Sequence, residues 1–197
     1  MNRILLTCFL CLPSVLTAQA LDLAALRAGC VPAASESTLR AIIQVESGSN
    51  PNAMQIDFPH ALLTRWQLSP GTLRLSRQPK DRQEALAWLA YFEGMHVFVD
   101  LGLMQVSTSE ANRRGIDPAS LLEPCINLQV GWRILQEAYQ TEVKRYGRGQ
   151  TALQHAISRY NTGNSQQGID NGYLARVVAA ADSIDSDHSH NGRQNVR

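Results

Sequence analysis

Apolar residues recur along most of this chain at intervals of three and four, the period of helices that bury one face. The clearest case runs from Ser37 to Gly48: Leu39, Ile42, Ile43 and position 46 fall on one side of a helix. Ser35 or Ser37 can cap that helix and Gly48 can end it. Upstream, Leu21 to Ala28 reads as a short helix broken at Cys30-Val31-Pro32, and Gly48-Ser49-Asn50-Pro51-Asn52 is a turn cluster. The period is lost over residues 53–80, where Pro59, Pro70-Gly71 and Pro79 interrupt the chain and at most a short hairpin is expected. A loop of that length inside a domain is usually functional. Asp81-Arg82-Gln83-Glu84 has the form of a capping box with Asp in place of Ser. It opens a helix whose stripe is Ala85, Trp88, Leu89 and Phe92, with Gly94 as the stop. Further helices are predicted over Ser107–Arg114, Ile126–Tyr146, Thr151–Tyr160 and Tyr173–Ala181. The pattern is that of a mainly α protein of short packed helices with little or no sheet, and it contains no internal repeat.

The two ends of the 197-residue chain read differently from its middle. Met1-Asn2-Arg3, the apolar run Ile4–Leu16 and the small residues of Ala18-Gln19-Ala20 form a Sec-type signal peptide, with cleavage expected after Ala20. The run is short and interrupted by Pro13, so no stable membrane span is expected once it is removed; an uncleaved anchor is the alternative. From residue 183 to 197 the chain is polar and without apolar period, which predicts a disordered tail. The domain is therefore placed at 21–182, in a periplasmic or secreted protein.

Composition narrows the field. The whole chain has 18 Lys and Arg against 17 Asp and Glu, and loss of Arg3 balances them. Such a surface has no basic field for nucleic acid. Cys8 and Cys11 lie in the signal segment, leaving Cys30 and Cys125. In an oxidising compartment these two are expected to pair, the alternative being two free thiols. No Cys or His pair has the spacing of a zinc site, so no metal is expected.

The candidate chemistry begins at Glu46, a carboxylate in the fourth place of an apolar stripe. Burial and the negative end of a helix dipole both disfavour its anion, so its pKa should rise toward that of a general acid. An isolated Glu at a helix end would ordinarily rotate into solvent, so the odds depend on the rest of the chain. Two other segments break the pattern in the same way. Gly102-Leu103-Met104-Gln105-Val106 is an apolar run holding one amide, which can hydrogen-bond a sugar hydroxyl or acetamide. Tyr160-Asn161-Thr162-Gly163 offers a ring face and an amide at the end of a helix.

Together and in this order, these segments resemble the lytic transglycosylase superfamily, also described as SLT or goose-type lysozyme-like. The matching residues are Glu46-Ser47, Gly102-Leu103-Met104-Gln105, and Ala156 through Tyr160-Asn161-Thr162-Gly163. A closer resemblance is to the VirB1-like branch, the wall-degrading components of type IV secretion and conjugation systems. It is carried by Cys30, Asn50-Pro51, the approach from His96 through Asp100 to Gly102, and Pro124-Cys125-x-Asn127. The resemblance covers residues 30–178. It implies a lysozyme-like domain with a glycan-binding groove, no cofactor, peptidoglycan glycan strands as substrate, and secretion or conjugation components as partners.

The resemblance also implies roles. Glu46 would protonate the oxygen between N-acetylmuramic acid and N-acetylglucosamine, then accept the proton of the muramic C6 hydroxyl as a 1,6-anhydro ring closes. Ser47, Met104, Gln105, Tyr160 and Asn161 would bind substrate, with Ser47 orienting Glu46 or a sugar and Tyr160 holding Glu46 or stacking on a ring. An ordinary glycosidase needs two carboxylates, and here only Asp57 and Asp100 are near the motifs, neither with a motif of its own. A hydrolytic muramidase using one of them, and a wall-binding scaffold without activity, are the alternatives. Residues 56–75 depart from the usual link between the first two motifs, which bears on glycan length preference rather than on Glu46.

Overall fold

Helices form where the three-and-four period runs, and the sheet forms where it fails. The computed structural model describes residues 21–67 and 74–194, as backbone only at residues 60 and 187–194. The expected signal segment 1–20 and the last residues of the tail lie outside these limits. Helix α1 (Leu23–Cys30) starts on Asp22, whose carboxylate accepts from the N–H groups of Ala24 and Ala25 at 3.0 Å. Helix α2 (Glu36–Ser47) buries Leu39, Ala41, Ile42 and Ile43, and ends at Gly48 in the left-handed conformation. Strand β1 (Met54–Asp57), helix α3 (His60–Arg65) and strand β2 (Arg74–Arg77) occupy the stretch where the period is lost. Helix α4 (Arg82–Gly94) is capped by Asp81, which accepts from Glu84 N–H at 2.8 Å. Glu84 reaches back to the N–H of Lys80 at 3.0 Å, one residue earlier than a capping box would place that bond.

Strands β3 (Val99–Leu101) and β4 (Val106–Ser107) complete an antiparallel sheet of order β2-β1-β3-β4. Only its β1–β2 hairpin was anticipated by the sequence. The register places Gln55 opposite both Ser76 and Asp100, and Asp100 opposite Ser107, while Asp57 pairs with Arg74. Side chains alternate across a strand, so one face is apolar and the other polar. Met54, Ile56, Val99, Leu101 and Val106 are buried in the core; Gln55, Asp57, Arg74, Asp100 and Ser107 share the opposite face.

The remaining elements are α5 (Thr108–Arg113), a 3-10 turn (Pro118–Leu122), α6 (Pro124–Tyr146), α7 (Gln150–Thr162), α8 (Gln167–Asp170) and α9 (Tyr173–Gln194). The broadest helix pairings are α6 on α7 and α2 on α9. Helix α9 continues past Ser183, where a disordered tail was expected, because Ala180, Ala181 and Ile184 still pack against the core. One more apolar turn thus carries the helix beyond the polar boundary. Cys30 at the end of α1 and Cys125 in the first turn of α6 have Cα atoms 5.4 Å apart and sulfurs 2.14 Å apart.

Candidate active site

Glu46 lies in the last turn of α2, and the packing of α2 on α9 decides its surroundings. Tyr173, the first residue of α9 and 2 % exposed, donates its hydroxyl to Glu46 Oε1 at 2.5 Å. Burial raises the Glu46 pKa to about 7, a rise that the Tyr173 hydrogen bond partly opposes. The Asp100 charge adds to it, and Arg176 and Arg74 work against it. Position 46 is thus a carboxyl that is substantially protonated near neutral pH.

The Gly102–Gln105 segment is a tight turn between β3 and β4, held from three sides. Asn127 of α6, fully buried, donates to Leu101 O at 2.7 Å and Leu121 O at 2.9 Å, and accepts from Met104 N–H at 2.8 Å. Ser47 donates to Leu103 O at 2.9 Å and Ile43 O at 3.0 Å. Tyr160 donates to Met104 O at 2.6 Å. Gly102 has φ +76°, and a Cβ there would lie 2.5 Å from Asn127 Nδ2, so glycine is required on both counts. Gln105 also has positive φ, at 46°. Strain of that kind in a non-glycine residue persists only where the surroundings enforce it, and it clusters at functional sites.

Glu46, Gln105, Tyr160 and Asn161 line one hollow of about 200 Å³, together with Ile134 and the polar face of the sheet. Gln105 Nε2 is committed to Ala53 O at 3.0 Å and Gly102 O at 2.8 Å, so its amide oxygen is the group left for a ligand. Asn161 is exposed at the rim. Burial, followed by the Glu46 and Asp100 charges, pushes the Tyr160 phenol well above its ordinary range, so it stays a neutral donor. Hollows of about 520 and 690 Å³ lie elsewhere, and no carboxylate lines either of them.

Two residues expected at the substrate are placed differently. Met104 is fully buried, and its side chain lies where a Cβ on Gly131 would be, within 2.7 Å. It fills the gap between the turn and α6 and presents no side-chain atom to the hollow. Ser47 is buried, with its hydroxyl tying α2 to the turn. Tyr160, expected to hold Glu46 or to stack on a sugar ring, donates to the Met104 carbonyl while lining the hollow, and it is Tyr173 that donates to the acid. Tyr173 reads in the sequence as the start of a helix, and nothing local marks it, because only the packing of α9 on α2 brings it across 127 residues.

The sheet adds Arg74, which the sequence left without a role, beside Asp57 and Asp100, which it offered only as the base of a hydrolytic alternative. Arg74 grips Asp57 through Nε–Oδ1 at 2.7 Å and Nη2–Oδ2 at 2.9 Å, a bidentate pair. Asp100 has a pKa raised to about 6 by burial and by the Asp57 charge, with Ser107, Arg74 and Gln55 holding it down. Among the described residues no group of three His, Cys, Asp or Glu is placed to hold a metal ion, and no helix is long and apolar enough to cross a membrane.

Comparison with known proteins agrees with this geometry. Residues 24–174 match the family model described as the transglycosylase SLT domain. The chain is 33% identical over 159 residues to the type IV secretion system protein virB1 of Brucella suis biovar 1 (strain 1330), covering 78% of this chain and 61% of that one. It is 34% identical over 161 residues to protein virB1 of Agrobacterium fabrum (strain C58), covering 79% of this chain and 57% of that one. The chain thus spans about three-fifths of the length of these relatives. No solved structure matches it significantly. With a glutamate at the end of a buried helix, a strained glutamine turn and a family match over most of its length, the chain belongs to the transglycosylase SLT domain family.

Proposed function

We propose that this protein is a peptidoglycan lytic transglycosylase that cleaves the bond between N-acetylmuramic acid and N-acetylglucosamine without consuming water. The observation that carries this reading is Glu46: a carboxyl raised to about 7, held by Tyr173, and facing the hollow lined by Gln105, Tyr160 and Asn161. As an acid it gives its proton to the glycosidic oxygen while the bond from C1 to that oxygen breaks. The muramic C6 oxygen then bonds to C1, and its proton passes to Glu46. The acid is restored and a 1,6-anhydro ring is left. One group serves in both steps because its pKa lies near the working pH. Gln105 and Asn161 supply amide contacts to the sugar's polar groups. Ser47 and Met104 act on the substrate only through the turn they fix.

The supporting roles belong to the same proposal. An N-terminal signal at 1–20 delivers the chain to the periplasm, a Cys30–Cys125 disulfide braces it there, and local opening of the wall serves a secretion or conjugation apparatus. The test is to digest purified peptidoglycan and weigh the products, since anhydro ends differ from reducing ends by one water. Anhydro products lost in Glu46→Gln, with the far-UV spectrum unchanged, are the expected result; full activity in that variant would overturn it.

One observation favours a second reading. Asp100 shares the hollow with Glu46, and a second carboxylate is what a hydrolytic muramidase would use. Asp57 is tied up by Arg74, so the hydrolytic reading would rest on Asp100. Reducing ends as the main product would select it.

A further inference from the structure

The hollow beside Glu46 is lined by Asp57, Asp100 and Glu110 as well. Two of these four carboxylates have cationic partners: Asp57 is gripped by Arg74, and Glu110 is paired with Arg113 and Arg114. Among the described residues neither Glu46 nor Asp100 forms an ion pair within 4.0 Å. Two carboxylates without an ion-pair partner line this one small hollow, and a charge on Asp100 disfavours the anion of Glu46.

The surroundings decide which of the two keeps its proton. Asp100 is met by donors on two neighbouring strands, the Ser107 hydroxyl of β4 and the Gln55 amide of β1. Donors of this kind stabilise an anion. Facing Glu46 are Tyr173 and Arg176 from α9, Tyr160 from α7, Arg74 from β2 and Asp100 from β3. Of these, Tyr173 alone gives Glu46 a side-chain hydrogen bond, and Tyr160 spends its hydroxyl on Met104 O. Glu46 also sits at the C-terminal end of α2, where the helix dipole repels negative charge. The anion therefore settles on Asp100.

We propose that Asp100 is a positioning residue for Glu46, an anion fixed on the polar face of the sheet whose charge, across the common hollow, keeps the proton on the acid. The inference rests on the transglycosylase reading for its consequence, since a protonated Glu46 is the form that starts the reaction. Through this arrangement the sheet extends the alkaline range over which Glu46 stays an acid, while Arg74, which partly offsets the Asp100 charge, is itself bonded to Asp57.

The test is the pH dependence of kcat/KM on purified peptidoglycan for the wild type, Asp100→Asn and Asp100→Glu. Removing the charge should move the alkaline limb down by about one unit, a roughly tenfold loss above the limb and none below it. Asp100→Glu should restore the wild-type limb. An unmoved limb, or a loss equal at every pH, would overturn the proposal. So would a selective loss of reducing-end product in Asp100→Asn, because that would make Asp100 the base of a hydrolytic branch. Titration of the carboxyl carbons by NMR in the wild type needs no activity: coupled two-step curves at Glu46 and Asp100 are expected, and independent curves refute the inference. A protein with coupled curves and no wall-degrading activity would refute the transglycosylase reading alone.

Discussion

Replacing Glu46 with glutamine should stabilise the protein above neutral pH and leave its stability nearly unchanged in acid. Glu46 is shifted from an ordinary 4.5 to about 7 in the folded chain. Between those two values the folded state holds a proton that the unfolded state has released, so stability falls as pH rises through the window and levels off above it. At 1.36 kcal/mol per unit, the shift corresponds to about 3 kcal/mol of stability lost by about pH 8. Glutamine has no proton to release, and its Oε1 can still accept from Tyr173. The difference between variant and wild type should therefore be small near pH 4 and grow to about 3 kcal/mol by pH 8. Asp100, raised to about 6 mainly by its own burial, tilts both curves the same way, and only its coupling to Glu46 enters the difference. Burial, the largest cause of the shift, acts on Glu46 itself and stays in it. Urea denaturation followed by circular dichroism across this range measures the quantity directly. A difference that does not change with pH, or a wild type that gains on the variant as pH rises, would refute the account of Glu46 as a buried acid.

Tyr173→Phe removes the donor that holds the Glu46 pKa down, so the alkaline limb of kcat/KM should move to higher pH while activity on its acid side falls as the carboxyl loses its orientation. A downward shift of that limb would show that Tyr173 acts otherwise. Ser47→Ala leaves the Leu103 carbonyl without its side-chain donor and should cost about 1–3 kcal/mol in urea unfolding. Because that bond also fixes the turn bearing Gln105, the variant's KM for glycan should rise; an unchanged KM would separate Ser47 from the turn.

Much of this site was legible in the sequence, because it is built from local rules. The stripe of Leu39, Ile42 and Ile43 set the face on which Glu46 lies, and Gly48 set where the helix stops. Gln105 and Asn161 announced themselves as amides in short segments of unusual composition. Met104 was misread because it shares a segment with Gln105. Its burial depends on Gly131, a residue of α6 with no side chain in the way, and pairing across 27 residues leaves no periodic trace. The sheet was missed beyond its hairpin because β3 and β4 span three and two residues, too short for alternation to register. Tyr173 and Asp100 became site residues only once α9 lay on α2 and β3 paired with β1. Asp57 and Arg74, from the two described ends of the stretch that departs from the usual link, line the hollow beside Glu46.

Magnitudes connect the acid to the cysteine pair that joins α1 to α6. A Cys30–Cys125 bridge closes a loop of 95 residues, which in the chain-entropy model stabilises the fold by about 4–5 kcal/mol. That exceeds the roughly 3 kcal/mol by which an ionised Glu46 weakens it at alkaline pH. Cys30 ends α1 and Cys125 opens α6, whereas Glu46 lies in the last turn of α2 and bonds to α9, so the two share no bonding partner and their effects should add. Reduction of the bridge, or the paired Cys30→Ser and Cys125→Ser change, should then lower stability by the larger amount in wild type. Adding Glu46→Gln should recover more than half of that loss near pH 8 and almost none near pH 4. Thermal unfolding of the four combinations at the two pH values reads both terms at once. Equal recovery at the two pH values would mean that the glutamate's cost is packing rather than charge. No recovery at either would mean that Glu46 costs the fold nothing, and the burial that makes it an acid would have to be abandoned.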